Sequence, residues 1–267
     1  MPEWFVTVRP LSSSHSLDAG NAGPLRYDFD GFVARFSDDQ TRRASIGLKS
    51  GLVKKDTDGA LGTVLHLILR REGRLDLHSA AVSRNRTEPA VLFIGAKGVG
   101  KSSLTVTLAG QGWSFLSDDY VLAWMSKGSL HAGGLRTPLY LTEDARARLP
   151  AGVSQGRLIR SAGKWMFQPA ELFPEQHRAH AAVGAIVFPQ LVAGSSKVER
   201  LRPMDAFQRL LTFCPFLVAD PAARPCLEVA RALADRPAYA LHAGPDLLES
   251  TTALKIMELV TDGSRIA

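Results

Sequence analysis

The 267-residue sequence predicts an α/β fold with a β-rich N-terminal part. Three observations carry this reading. Strand-like and helix-like segments mix along the whole chain, with no internal repeat and no low-complexity tract. The apolar run Ala90-Val91-Leu92-Phe93-Ile94 leads through a glycine-rich loop into a helix-like stretch over residues 103–110. Before residue 60 the apolar residues recur in short runs, partly with period two, as strands require.

Taken in order, residues 4–8, 25–29 and 32–36 read as strands, separated by Ser-rich and Gly/Asn/Pro-rich loops. Leu61, Val64, Leu65, Ile68 and Leu69 recur at helical spacing, and Gly73 ends that helix. Residues 75–82 form a strand, 90–94 a buried strand, and 114–119 a short strand ending in paired acids, with 120–124 a further strand. A helix is expected over 142–149, closed by Pro150. The polar, glycine-containing stretch 152–163 has the composition of a mobile loop or lid. Strands at 182–188 and 238–242 alternate with helices at 203–213, 227–234 and 246–260. The expected organisation is a β-rich region, 1–60, packed on a core domain, 61–267.

Composition excludes several classes. With 45% hydrophobic and 22% charged residues the chain is globular rather than disordered. No apolar run is long enough to span a bilayer, so no membrane partner is expected. The start, Met1-Pro2-Glu3-Trp4-Phe5, lacks the pattern of a signal peptide, which favours the cytoplasm. The net charge of +6 gathers at Arg70, Arg71 and Arg74 and at Arg84 and Arg86, but no nucleic-acid-binding module accompanies it. Cys214 and Cys226 fit neither a metal pattern nor a disulfide framework and read as buried free thiols.

The chemistry concentrates at three places. Gly95-Ala96-Lys97-Gly98-Val99-Gly100-Lys101-Ser102 matches the G-x-x-x-x-G-K-[ST] phosphate-binding pattern, with a strand before it and a helix after it. Gly95, Gly98 and Gly100 let backbone N–H groups turn inward, Lys101 supplies a charge to the outer phosphates, and the Ser102 hydroxyl is placed for Mg²⁺. Ser103 opens the helix whose positive end faces the same anion. Asp118 and Asp119 follow Lys101 by 17 and 18 residues. An acid on a neighbouring strand holds Mg²⁺ in nucleotide-binding folds, and a second could take a proton from an attacking hydroxyl. Their mutual repulsion calls for a metal or a lysine nearby. His78 lies about a dozen residues before the loop strand; it orients an acid, touches the phosphoryl group or is a structural histidine.

The segment Leu77-His78-Ser79-Ala80, the phosphate loop and Leu116-Ser117-Asp118-Asp119 together resemble the kinase domain of HPr serine kinase/phosphorylase and its HprK-like relatives, which share a core with phosphoenolpyruvate carboxykinase. The likeness covers about residues 60–125, and more loosely the rest of the C-terminal part. It implies ATP-dependent phosphoryl transfer to a hydroxyl, often serine on a protein or peptide. The loop from Gly95 to Ser103 would then hold ATP, and Ser102 and Asp119 are the residues assigned to Mg²⁺. Asp118 and Asp119 would divide the base and metal roles, with their assignment open, and His78 would support the acid pair. Lys97 stands where such loops commonly carry a small residue, and Ser103 where the founding enzymes carry an acid. Those departures, and the lack of a glycine-rich motif linked to phosphorolysis, count against phosphorylase activity and against HPr itself as the substrate. Relatives that tailor ribosomally made peptides, such as lasso-peptide precursors, fall within it. Such relatives often assemble, and the apolar C-terminal helix suits a homo-oligomer contact or simply closes the core. A small-molecule kinase and a nucleotide-binding regulatory protein are the competing classes. Arg136, after Gly133-Gly134, and Lys164, after Gly163, are additional candidate cations for transition-state charge.

Overall fold

The computed structural model describes residues 5–10, 25–37, 42–49, 51, 54–134, 138–147, 157–159, 163–168, 173–220 and 223–262. The chain divides into two compact units, one ending at Leu69 and the next beginning at Arg70. The boundary expected after residue 60 lies inside the helix that crosses this division.

In the first unit, β1 (Phe5–Pro10), β2 (Leu25–Asp28), β3 (Phe32–Phe36) and β4 (Arg43–Leu48) form a sheet ordered β1-β4-β3-β2. β1 runs parallel to β4; the other pairs are antiparallel. Strand alternation sends Ala34 and Phe36 of β3 and Ala44 and Ile46 of β4 inward. Helix α1 (Lys54–Arg71) meets them with Ala60, Val64, Leu67 and Ile68, a stripe at helical spacing. β4 adds to the three strands that the sequence predicts.

The second unit holds β5 (Leu75–Ser83), β6 (Ala90–Ile94), helix α2 (Lys101–Gly110), β7 (Ser114–Ser117), β8 (Tyr120–Ser126) and β9 (Ser129–Gly134). A small group follows: β10 (Leu139–Leu141), helix α3 (Glu143–Arg146), β11 (Arg157–Ile159) and β12 (Lys164–Phe167). The C-terminal part contains β13 (His180–Leu191), β14 (Lys197–Leu201), α4 (Pro203–Phe213), α5 (Phe216–Ala219), α6 (Arg224–Ala234), β15 (Ala238–Ala243) and α7 (Ser250–Asp262). The main sheet runs β14-β15-β13-β6-β5-β8-β9, with β7 also on β5. β13 pairs through its first residues with β9, so β13, β6, β5, β8 and β9 form a closed circuit of pairings.

β6 shows why this sheet is buried on both faces. Val91 and Phe93 point into one core with α2 and α7, while Ala90, Leu92 and Ile94 point into a second core with α4 and α6. A strand covered on both sides reads as an unbroken apolar run, as this one does. The layers are therefore helix, sheet, helix, the mixed α/β class. A part-buried ion pair fastens the start of this unit: Arg70 donates to both carboxylate oxygens of Asp76 at 2.8 and 3.0 Å, and its guanidinium lies 3.6 Å from the Phe216 ring centroid.

Several expectations need correction. The helix over 142–149 is a single turn, α3, and residues 148–150 lie outside the described residues. The closing helix over 246–260 is broken: a 3₁₀ turn spans Pro245–Leu248, Glu249 is extended, and α7 follows. α7 buries Ala253, Ile256, Met257 and Val260 in the first core, so its apolar face closes that core. Residues 152–156 and 160–162 of the proposed lid lie outside the described residues, as do Trp4 and Arg136. Cys214 and Cys226 are free and buried, and burial pushes both thiols up to about 12, which makes them inert.

Candidate functional site

Register builds the site. β6 is parallel to β13, and its C-terminal residue Ile94 pairs with Ser79 of β5. The loop that leaves β6 therefore starts beside His78. In α/β folds the carboxyl ends of parallel strands are where ligands gather. His78 is in the middle of β5 rather than at its end, because β5 continues to Ser83. The first half of β5 pairs with β8, opposing His78 to Tyr120, and the Ser79 N–H donates to the Asp119 carbonyl at 3.0 Å. β7, entirely buried, ends at Ser117, and the two acids occupy the bend before β8. Ser117 fixes that bend: its hydroxyl accepts from the N–H groups of Asp119 and Tyr120 at 3.4 and 3.3 Å.

The loop from Gly95 to Gly100 turns through two left-handed glycines. Gly98 has φ 90° and Gly100 φ 87°, and a Cβ at either would meet nothing within 4 Å. This backbone conformation favours glycine, and the open space beside it suits a large anion. Gly100 is the N-cap of α2 and gives no side-chain cap, leaving the first N–H groups of the helix for a ligand. Lys101 is only 6% exposed. Its ammonium donates to the carbonyls of Gly95 at 2.8 Å and Ala96 at 2.9 Å. Burial lowers its pKa to about 8, against the opposing pull of Asp119 and Asp118.

The two carboxylates differ sharply. Asp118 is 4% exposed, and burial pushes it up to about 6, with the Ser102 hydroxyl and Lys164 acting in the other direction and Asp119 adding to the rise. Its Oδ1 is buried and accepts no hydrogen bond among the described residues. Asp119 is half-exposed and accepts from His78 Nδ1 at 2.9 Å. That hydrogen bond, with the charges of His78, Lys101 and Lys164, holds it below the usual carboxylate range despite partial burial. One acid is thus poised near neutrality while its neighbour is ionised, the division expected of sites with two acid roles.

These groups share one cavity of about 640 Å³. His78, Lys97, Gly98, Gly100, Lys101, Ser102, Ser103, Asp118 and Asp119 all line it. Gly95 and Ala96 contribute their carbonyls to Lys101, and the Val99 side chain packs toward Gly95. Of the additional cations, Lys164 lines the cavity. The cavity also takes in Tyr120, Tyr140, Leu141 and Thr142, which sequence reasoning missed. Tyr120 follows the acid pair directly and was open to that inference; the other three come from β10 and the residue after it, where no motif marks them.

Among the described residues, no cluster of three or more His, Cys, Asp or Glu forms a metal cage. The local donors are the orphaned carboxylate oxygen of Asp118 and the Ser102 hydroxyl beside it. Few hard oxygen ligands suit a Mg²⁺ ion that keeps water and phosphate in its shell. The residues present therefore fit a magnesium-bound anion.

No known family model matches the chain, and no curated protein matches it. Among solved structures, the HPr(Ser) kinase/phosphatase from Coxiella burnetii is similar over 71% of this chain and 93% of that chain, with 14% identity and a TM-score of 0.38. A likeness of that degree decides neither fold nor function.

Proposed function

We propose that this chain is an ATP-dependent kinase that transfers the γ-phosphoryl group to a serine-type hydroxyl of a peptide or protein. The observation that carries the reading is the meeting of the Gly98–Lys101 cradle with the His78–Asp119 pair across one cavity. The motif order along the chain supports it. In this reading the N–H groups of the loop and of the start of α2 bind the phosphates, and Lys101 leaves the Gly95 and Ala96 carbonyls to meet the phosphate oxygens. Asp118 and Ser102 would hold Mg²⁺, Asp118 taking the place that the sequence reading gives to Asp119, and the ion would supply positive charge to the phosphates.

Asp119 orients the acceptor hydroxyl and takes its proton. His78 steers that carboxylate through its Nδ1–H and offsets the charge it carries. A carboxylate held below its usual range is a weak base, which is adequate here. Phosphoryl transfer proceeds through a loose transition state and asks mainly for positioning and charge stabilisation. The His78 and Asp119 side chains are 40% and 41% exposed, so a hydroxyl carried on a chain can reach them. That exposure favours a peptide or protein acceptor over an enclosed metabolite.

Incubation with γ-labelled ATP and a size-fractionated extract of the source cells tests the reading. Label should enter peptide or protein, and Lys101→Ala and Asp119→Asn should each reduce transfer by about 100-fold or more while remaining folded. Label in metabolites alone would favour a small-molecule kinase. Binding of magnesium ATP without any labelled product would favour a regulatory protein.

A further inference from the structure

The small sheet ordered β10-β12-β11 has two unlike faces. Leu139 pairs with Phe167 and Leu141 with Trp165. Leu139, Leu141 and Phe167 are buried in the first core, and Trp165 packs against it. Tyr140 pairs with Met166, two residues from Lys164 on the same strand, so Tyr140 and Lys164 share the opposite face. Both line the cavity.

The strand that carries Lys164 is also held in place. The next residue, Trp165, donates through its indole N–H to Glu143 at 2.5 Å, and the Arg146 guanidinium lies 4.4 Å from the Trp165 ring centroid. Glu143 is bound in turn by Arg146. This clamp joins α3 to β12 and fixes the strand from which Lys164 projects. Lys164 therefore differs from a solvated lysine on a loop. Its charge acts on both acids, lowering the pKa of Asp118 and of Asp119 alike.

The phosphate loop supplies one cation, Lys101, from the loop side of the cavity. The acids bring two negative charges toward the point where a nucleotide would present its terminal phosphate. Lys164, which lines the same cavity from another element, is placed to add positive charge on the side away from the loop. We propose that Lys164 is a catalytic residue that binds the terminal phosphoryl group of the nucleotide, so that the small sheet reads whether a third phosphate is present. This rests on the nucleotide reading of the cavity and adds to it a residue outside the loop motif.

The test is calorimetric and needs no acceptor. Magnesium ATP and magnesium ADP are titrated separately into the full chain and into Lys164→Ala, Lys164→Gln and Lys164→Arg. The wild type should prefer ATP over ADP. The alanine and glutamine variants should lose about tenfold of that preference, mainly through ATP, with ADP affinity little changed, and arginine should retain most of it. An unchanged preference in both neutral variants would overturn the proposal. So would an equal loss of ATP and ADP binding, which marks a general or structural effect, or a wild type that does not distinguish the two nucleotides. A wild type that binds neither nucleotide defeats the underlying reading, a result distinguishable because no variant enters into it.

Discussion

At the scale of single residues, burial draws a lysine and an acid of the site toward neutrality from opposite sides. Lys101 is lowered to about 8 and Asp118 raised to about 6, both chiefly by burial. Phosphate binding needs the lysine charged, and a metal-facing Asp118 must be ionised. Transfer at low substrate should therefore rise as pH passes through about 6 and fall as it passes through about 8, a bell measured as kcat/KM against pH. A flat profile between those limits and well beyond them would count against these roles. Asp118 also bears on stability. Its folded pKa lies above the ordinary 3.8, so the folded state binds the extra proton between roughly pH 4 and 6 and loses stability as pH rises through that window. Asp118→Asn removes the cost of the buried charge. It should stabilise the protein at pH 7.5 by about 1–3 kcal/mol, leave stability near pH 3.5 almost unchanged, and abolish transfer. Thermal or denaturant unfolding of the two proteins at both pH values checks this. If the variant is less stable at pH 7.5, the burial argument fails.

At the scale of elements, the positions of the acids depend on one close approach. A Cβ on Gly134, at the end of β9, would stand 1.9 Å from the Leu116 carbonyl oxygen, on the strand that delivers Asp118 and Asp119. Gly134→Ala must displace backbone and should cost about 3 kcal/mol in denaturant unfolding, with transfer reduced as well. Little change in either would mean that β7 has more freedom than its buried setting indicates. The elements that carry the phosphate loop were legible in the sequence because each has a strong local cause. β6 is an unbroken apolar run, the two left-handed turns fall on Gly98 and Gly100, and the acids follow directly on a short buried strand. His78 beside Asp119 was legible only conditionally, since it required β5 and β8 to pair in that register. β4 and β9 were missed: each buries one large apolar residue, Ile46 in β4 and Leu130 in β9, and the small residues around it weaken the alternation in hydrophobicity. β10 and β12 were missed because they are only three and four residues long. Their structure comes from pairing with each other and from packing Leu139, Leu141 and Phe167 into the core, which no local window records. Tyr140, Thr142 and the strand setting of Lys164 were hidden for that reason.

At the scale of the whole molecule, the described residues that line the cavity all belong to the second unit. Two cores, one on each face of the main sheet, hold β5 and β6 so firmly that the loop, the acids and the small sheet converge on one place. Rigid layers with functional loops at strand ends are the arrangement that positioning chemistry needs. No helix among the described residues is long and apolar enough to cross a membrane. The most direct test of the central claim is a crystal structure of the full chain with magnesium and a non-hydrolysable ATP analogue. It should place the β- and γ-phosphates over the N–H groups of Gly98 to Ser102, with Lys101 turned from the Gly95 and Ala96 carbonyls onto phosphate oxygen and the Asp119 carboxylate facing the γ-phosphate. Nucleotide bound elsewhere, or Lys101 still held by the loop carbonyls with nucleotide present, would contradict it.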